Sequence, residues 1–121
     1  MDYKQLEAWK ESKKLSVGIY KVTADFNNAE KYGLTSQMRR AAISVPSNIA
    51  EGNGRQYKKE TLQFLNIARG SLYELETQTI IAHELGMISR EILNNVASQI
   101  LRCIKLVQGL IKYYQNRDDL K

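Results

Sequence analysis

The side chains of this 121-residue sequence that could do chemistry are mostly cations, in three groups. Arg39 and Arg40 are adjacent; Arg55, Lys58 and Lys59 follow the pair Asn53-Gly54; Lys112 and Arg117 bracket Tyr113 and Tyr114. A guanidinium binds carboxylate or phosphate through paired N–H donors, and an ammonium attracts the same anions as a point charge. Glycine lets a backbone approach phosphate closely, and tyrosines beside cations can stack single-stranded bases. These cations are therefore the candidate nucleic-acid contacts. Each group also has a plainer reading: inter-helix ion pairing for Arg39 and Arg40, a solvated loop for residues 53–59, and packing at a helix end for Tyr113 and Tyr114.

Other chemistry finds little support. His83 is the single histidine and has no second His or Cys near it in sequence to share a metal. A general base also needs an oriented partner, and no paired acid and base converge in the pattern. Cys103 is the single cysteine, so no intrachain disulfide is possible. The sequence predicts no enzyme, no metal and no cofactor. The segment Met1–Gln5 is polar, without the apolar stretch of a signal peptide, and no apolar run approaches the roughly 20 residues of a membrane span. A cytoplasmic protein without a membrane partner is the expectation.

Composition fits a folded globular chain: 43% apolar, 26% charged, one Pro. The net charge is +5. The surplus lies in residues 32–57, with three basic and one acidic side chain, and in residues 87–121, with six and three. A mild basic balance is compatible with nucleic acid as a partner.

The elements that must position these groups are helices. The fold class read from periodicity is all-α, an antiparallel up-down-up-down four-helix bundle. One domain spans residues 1–121, with helices at about 3–27, 34–53, 58–85 and 90–115. Ala8, Ser12, Leu15, Ile19, Val22 and Phe26 form the first stripe, and Leu34, Met38, Ala41, Val45 and Ile49 the second. Leu65, Ala68, Leu72, Leu75, Thr79 and Ala82 form the third. Gly86 stops the third helix, Ser89 is set to cap the fourth, and the tail Asn116–Lys121 is expected to fray. Leu93, Val96, Ile100, Cys103, Val107, Leu110 and Tyr114 form the fourth seam, with Ala97, Ile104 and Ile111 beside it. So wide a face predicts a second interface, to another copy of the chain. Trp9 is expected to anchor the core or that interface.

Pro46 interrupts the second helix, removing one backbone bond and leaving the Ala42 carbonyl without its usual donor. A kinked but roughly continuous helix is expected. Ser47, Asn48 and Glu51 are candidates to repair the bend or to make a subunit contact, and a binding groove at the kink is the alternative. If helices two and three turn tightly near 55–56, Glu74 faces position 37, within reach of Arg39 and Arg40 together with Glu76 and Gln78. The pair then either forms an ion-pair network that fixes register or leaves one Arg open to phosphate.

Residues 37–55 read Gln-Met-Arg-Arg-Ala-Ala-Ile-Ser-Val-Pro-Ser-Asn-Ile-Ala-Glu-Gly-Asn-Gly-Arg. With Leu6 and Trp9, Tyr32-Gly33-Leu34, and Phe64 through Leu72 followed by Glu74, Glu76 and Gln78, this closely resembles the bacterial 23S rRNA-intervening-sequence proteins, also called the S23 ribosomal protein family. The resemblance covers essentially the whole chain. Two positions depart from it: Phe26-Asn27 where relatives often have Phe-Pro, and Tyr57 where they often have a Ser or Thr cap. The second departure removes a capping box with Glu60. The resemblance implies an up-down-up-down bundle and a homopentameric ring. The family is named for genes inside insertions in 23S rRNA genes, a location rather than an activity. A related group, the accessory variability proteins of diversity-generating retroelements, is a basic pentamer that works with a reverse transcriptase. By that analogy the partners are RNA or a nucleic-acid enzyme, besides further copies of the chain. The alternative is a protein–protein scaffold with no nucleic-acid partner.

Overall fold

The computed structural model describes residues 2–30 and 32–117. The end of the expected fraying tail, residues 118–121, lies outside the described residues. Four helices form an antiparallel bundle: α1 (Glu7–Thr23), α2 (Leu34–Asn53), α3 (Lys58–Glu84) and α4 (Arg90–Gln115). Each packs against the next, and α4 returns to α1. No strand occurs among the described residues.

The first helix is shorter than its periodicity predicts. Residues Tyr3–Gln5 form a 3-10 turn capped by Asp2, whose Oδ1 accepts from the Lys4 amide at 3.0 Å. Leu6 is extended, so α1 begins at Glu7. It ends at Thr23, and Phe26 packs on the core from beyond the helix. The other boundaries follow local signals. Ser89 accepts from the Ile92 amide at 3.1 Å and opens α4. Gly86, with φ +76°, closes α3: its amide bonds the His83 carbonyl and the Met87 amide bonds the Ala82 carbonyl, both at 2.9 Å. Tyr57, as its side chain requires, supplies no cap to α3.

The core is one cluster fed by all four helices, with Leu15, Ile19, Met38, Val45, Leu72, Leu75, Ile100 and Val107 fully buried. Ile104 and Ile111 belong to it, at 6% and 5% exposure. These two residues are therefore buried within the chain, because α4 borders both α3 and α1, while Leu93, Ala97, Leu106 and Leu110 are partly buried and Leu101 is exposed. The α2–α3 seam is the most intimate, lined by small residues. Gly52 is buried there, and a Cβ at that position would sit 3.1 Å from Phe64 Cβ and 3.2 Å from the Thr61 carbonyl. The Thr61 hydroxyl donates to the Gly52 carbonyl at 2.9 Å.

Helix α2 runs unbroken through Pro46. The carbonyl that Pro46 leaves without a donor, on Ala42, accepts from the Ser16 hydroxyl of α1 at 2.8 Å. The repair thus comes from a neighbouring helix and not from Ser47, Asn48 or Glu51. Asn48 instead donates to the Ser44 carbonyl at 2.7 Å and to its hydroxyl at 2.9 Å. Ser71 of α3 donates to the same hydroxyl at 2.8 Å.

Candidate nucleic-acid interface

The seven candidate cations fall at two places, far apart along the bundle. The first is the end where the α2–α3 turn meets the C-terminus of α4. Asn53, Arg55, Gln56, Tyr57, Lys58 and Thr61 enclose a cleft of about 190 Å³ with Tyr113, Tyr114 and Arg117. Segments more than fifty residues apart in sequence are joined here by real bonds. Lys58 Nζ donates to the Arg117 carbonyl at 2.9 Å and to the Gln115 carbonyl at 3.4 Å. A cation at the negative end of α4 is favoured by the helix dipole. Lys58 is therefore occupied as a C-terminal clamp, which the sequence did not foresee.

Around that clamp the rings and guanidiniums pair. Arg117 bonds the Tyr113 hydroxyl, and its guanidinium carbon lies 5.2 Å from the centre of the Tyr113 ring. Tyr113 meets Tyr114 edge-on, with centroids 5.2 Å apart. The Tyr114 hydroxyl approaches Asn53 Oδ1 at 3.4 Å, and burial raises its pKa above the ordinary tyrosine value, with Tyr113 adding to the rise. Arg55 bonds Glu51 at 2.8 Å and lies 4.7 Å from the Phe64 ring centre. Both partners of that ion pair are largely exposed, so its own stabilisation is at most about 1 kcal/mol. Glu51 is thus a partner of Arg55 and not a repair of the Pro46 bend. Lys59 and Lys112 are exposed, and Lys59 borders a shallow depression with Leu62, Gln63, Asn66 and Ile67.

The second place is a groove of about 610 Å³ between α1 and the first half of α2, lined by Tyr20, Tyr32, Thr35, Ser36, Arg39, Arg40, Ile43 and Ser44. Arg39 and Arg40 lie roughly 24 Å along the helix from Arg55, at 1.5 Å per residue. The expected ion pairing of Arg39 and Arg40 with Glu74 and Glu76 is not found among the described residues. Arg39 turns to α1 instead. Its Nε donates to Thr23 Oγ1 at 2.8 Å, its Nη2 donates to the Tyr20 carbonyl at 3.2 Å, and its guanidinium lies 4.5 Å from the Tyr20 ring centre. Arg40 is exposed. The tight-turn register was the source of the error. Ser44 pairs with Ser71 and Gly52 with Thr61, two to four residues further along α3 than a turn at 55–56 predicts.

The remaining singled-out residues have structural surroundings. Trp9 is half-buried, with Tyr3 edge-on at 5.4 Å and Lys13 Nζ 5.1 Å from its ring. Burial raises the Cys103 thiol above its ordinary pKa, with Ser12 opposing. Among the described residues, no three His, Cys, Asp or Glu side chains gather to hold a metal, and no helix is long and apolar enough to cross a membrane. Sequence reasoning missed Ser16, Tyr20 and Thr35. Ser16 had a signal: a proline four residues after Ala42 demands a donor from outside the helix.

What these features define first is a class, an antiparallel four-helix bundle with basic, tyrosine-lined clefts. The chain belongs to the 23S rRNA-intervening sequence protein family, whose pattern it matches over residues 4–109. Among solved structures it is similar to a protein of unknown function from the S23 ribosomal protein family of Bacteroides thetaiotaomicron, with 24% identity and a TM-score of 0.78. That likeness covers 87% of this chain and 98% of the other, and shows the shared fold. No curated protein matches the sequence.

Proposed function

We propose that this protein is a non-enzymatic, cytoplasmic binding module that assembles with copies of itself, as a pentamer by the family resemblance, and contacts RNA or a nucleoprotein. The observation that carries the RNA reading is the end cleft. Arg55, Arg117, Tyr57, Tyr113 and Tyr114 converge there from segments distant in sequence. Cations beside tyrosine faces suit single-stranded nucleic acid, where bases stack and phosphates pair with the charges. The basic net charge adds long-range attraction.

The test is fluorescence anisotropy with a labelled single-stranded RNA across a salt series. Three phosphate contacts predict a log–log slope of about −2. Arg55→Gln and Lys112→Gln should each flatten the slope and weaken binding. No retention of RNA or DNA at low salt would overturn the reading.

The rival reading, a protein–protein scaffold, draws on exposed apolar side chains along α3 and α4: Ile67, Ile80, Ile81, Leu85 and Leu101. They also favour self-assembly. Light scattering at dilute concentration tests the oligomer, and a mass near the monomer's 13.9 kDa would refute it.

A further inference from the structure

We propose that the first turn of α2, with the groove beside it, is a binding site for the phosphate of a nucleotide, separate from the end cleft. The backbone supplies the first donors. The α2 ladder opens with Gln37 donating to the Gly33 carbonyl at 3.1 Å, and the Leu34 amide donates to Glu30 Oε1 at 3.3 Å. The Thr35 and Ser36 amides have no acceptor within the helix, and they lie at its positive end.

The second observation is independent of the helix end. Thr35 is 8% exposed, and its hydroxyl makes no hydrogen bond among the described residues. Buried hydroxyls are normally paired. Its oxygen is not sealed in the interior either, because Gln78 Oε1 is the one sealed, unpartnered side-chain polar atom among the described residues. Thr35 and Arg39 line both the groove and the adjoining cleft formed by Thr23, Ala24, Phe26, Asn27 and Asn28. A mostly buried threonine that lines these cation-bordered cavities, its oxygen still reachable from solvent, is placed to meet an anionic oxygen.

The side chains complete the site. Ser36 and Arg40 are one helical turn apart on the same wall. Arg40 has no ion pair or hydrogen bond among the described residues, whereas Arg39 is held on Thr23 and the Tyr20 ring. Two amides, two hydroxyls and one guanidinium match the several acceptor oxygens of a phosphate better than the two of a carboxylate. Tyr32, 88% exposed, stands on the rim, and Tyr20 and Ile43 supply apolar wall for a base. Glu30 Oε1 occupies the Leu34 amide, so the groups this turn offers a phosphate are the Thr35 and Ser36 amides, their hydroxyls and Arg40.

The test is amide NMR of the full chain at low salt, titrated with adenosine 5′-monophosphate, adenosine and inorganic phosphate. The nucleotide should shift the Thr35 and Ser36 amides, phosphate should shift them more weakly, and adenosine should leave them unmoved. Arg40→Gln should cost about tenfold or more in nucleotide affinity, the scale of a charged hydrogen bond. Thr35→Val, which keeps the shape and removes the hydroxyl, should also weaken binding. Unmoved amides, equal shifts with adenosine, or wild-type affinity in Arg40→Gln would overturn the proposal. A 5′-phosphorylated RNA oligomer that shifts these amides, while its unphosphorylated form does not, identifies a chain end as the source. Response to the monophosphate alone identifies a free nucleotide. RNA contact at the end cleft is read separately, at the Tyr57 and Tyr113 amides, so either idea can fail alone.

Discussion

The middle of α2 and its two ends use the same kinds of residue in opposite ways. Around Pro46, Ser16, Ser44, Asn48 and Ser71 spend their polar groups on the protein itself, and further along the same α2–α3 seam, in the last turn of α2, Gly52 removes a side chain so that two helices can touch. At the ends, Thr35 and Arg40 keep theirs uncommitted, and Arg55 spends its charge on an exposed carboxylate. Closed polar networks fix a fold, whereas polar groups left at a surface cleft hold binding capacity. Substitutions among the residues buried between helices, around Pro46 and at Gly52, should therefore change stability and spare binding, and substitutions of the cleft-lining groups at the ends should do the reverse.

The largest effect is expected at Gly52. Gly52→Val forces a Cβ against Phe64 and the Thr61 carbonyl, and overpacking of this kind costs about 1–3 kcal/mol or more in urea unfolding. Ser16→Ala should come next. It strips the Ala42 carbonyl of its donor and should cost about 1–3 kcal/mol. A double-mutant cycle sharpens that claim, because Pro46→Ala restores a backbone N–H at position 46 and the Ser16→Ala penalty should shrink in its background. Ser89→Ala, the loss of a simple cap, should cost about 1 kcal/mol by thermal melting. Arg40→Gln should change stability by no more than about 0.5 kcal/mol while weakening nucleotide binding. If Arg40→Gln unfolds the protein, or Ser16→Ala changes affinity at a matched folded fraction, the contrast between middle and ends fails.

The parts legible in the sequence are those fixed within a few residues. The four stripes, the Ser89 cap, the Gly86 stop and the missing cap at Tyr57 depend on nearest neighbours, and the structure carries each of them. What escaped depends on how helices meet. A tight turn between α2 and α3 would bring Arg39 to α3, yet Thr23 and Tyr20 of α1 hold it. Ile104 and Ile111 are buried within the chain, which periodicity does not show, because it counts how wide an apolar face is and not how many neighbours it has. At the candidate sites the cations were visible by type. Their surroundings were not: Lys58 closing α4, and Thr35 mostly buried with no partner among the described residues, are facts of three dimensions.

The bond from Ser16 to the Ala42 carbonyl joins residues 26 positions apart, and it has a bearing on the order of assembly. A carbonyl made vacant by proline is a debt that α2 cannot settle alone. Synthesised from the N-terminus, the chain presents the Ser16 donor before the Ala42 acceptor exists. The helix that needs help thus emerges with its helper already made. An α2–α3 fragment without α1 would carry the same proline with no one to answer it, and would lose helicity from that turn outward.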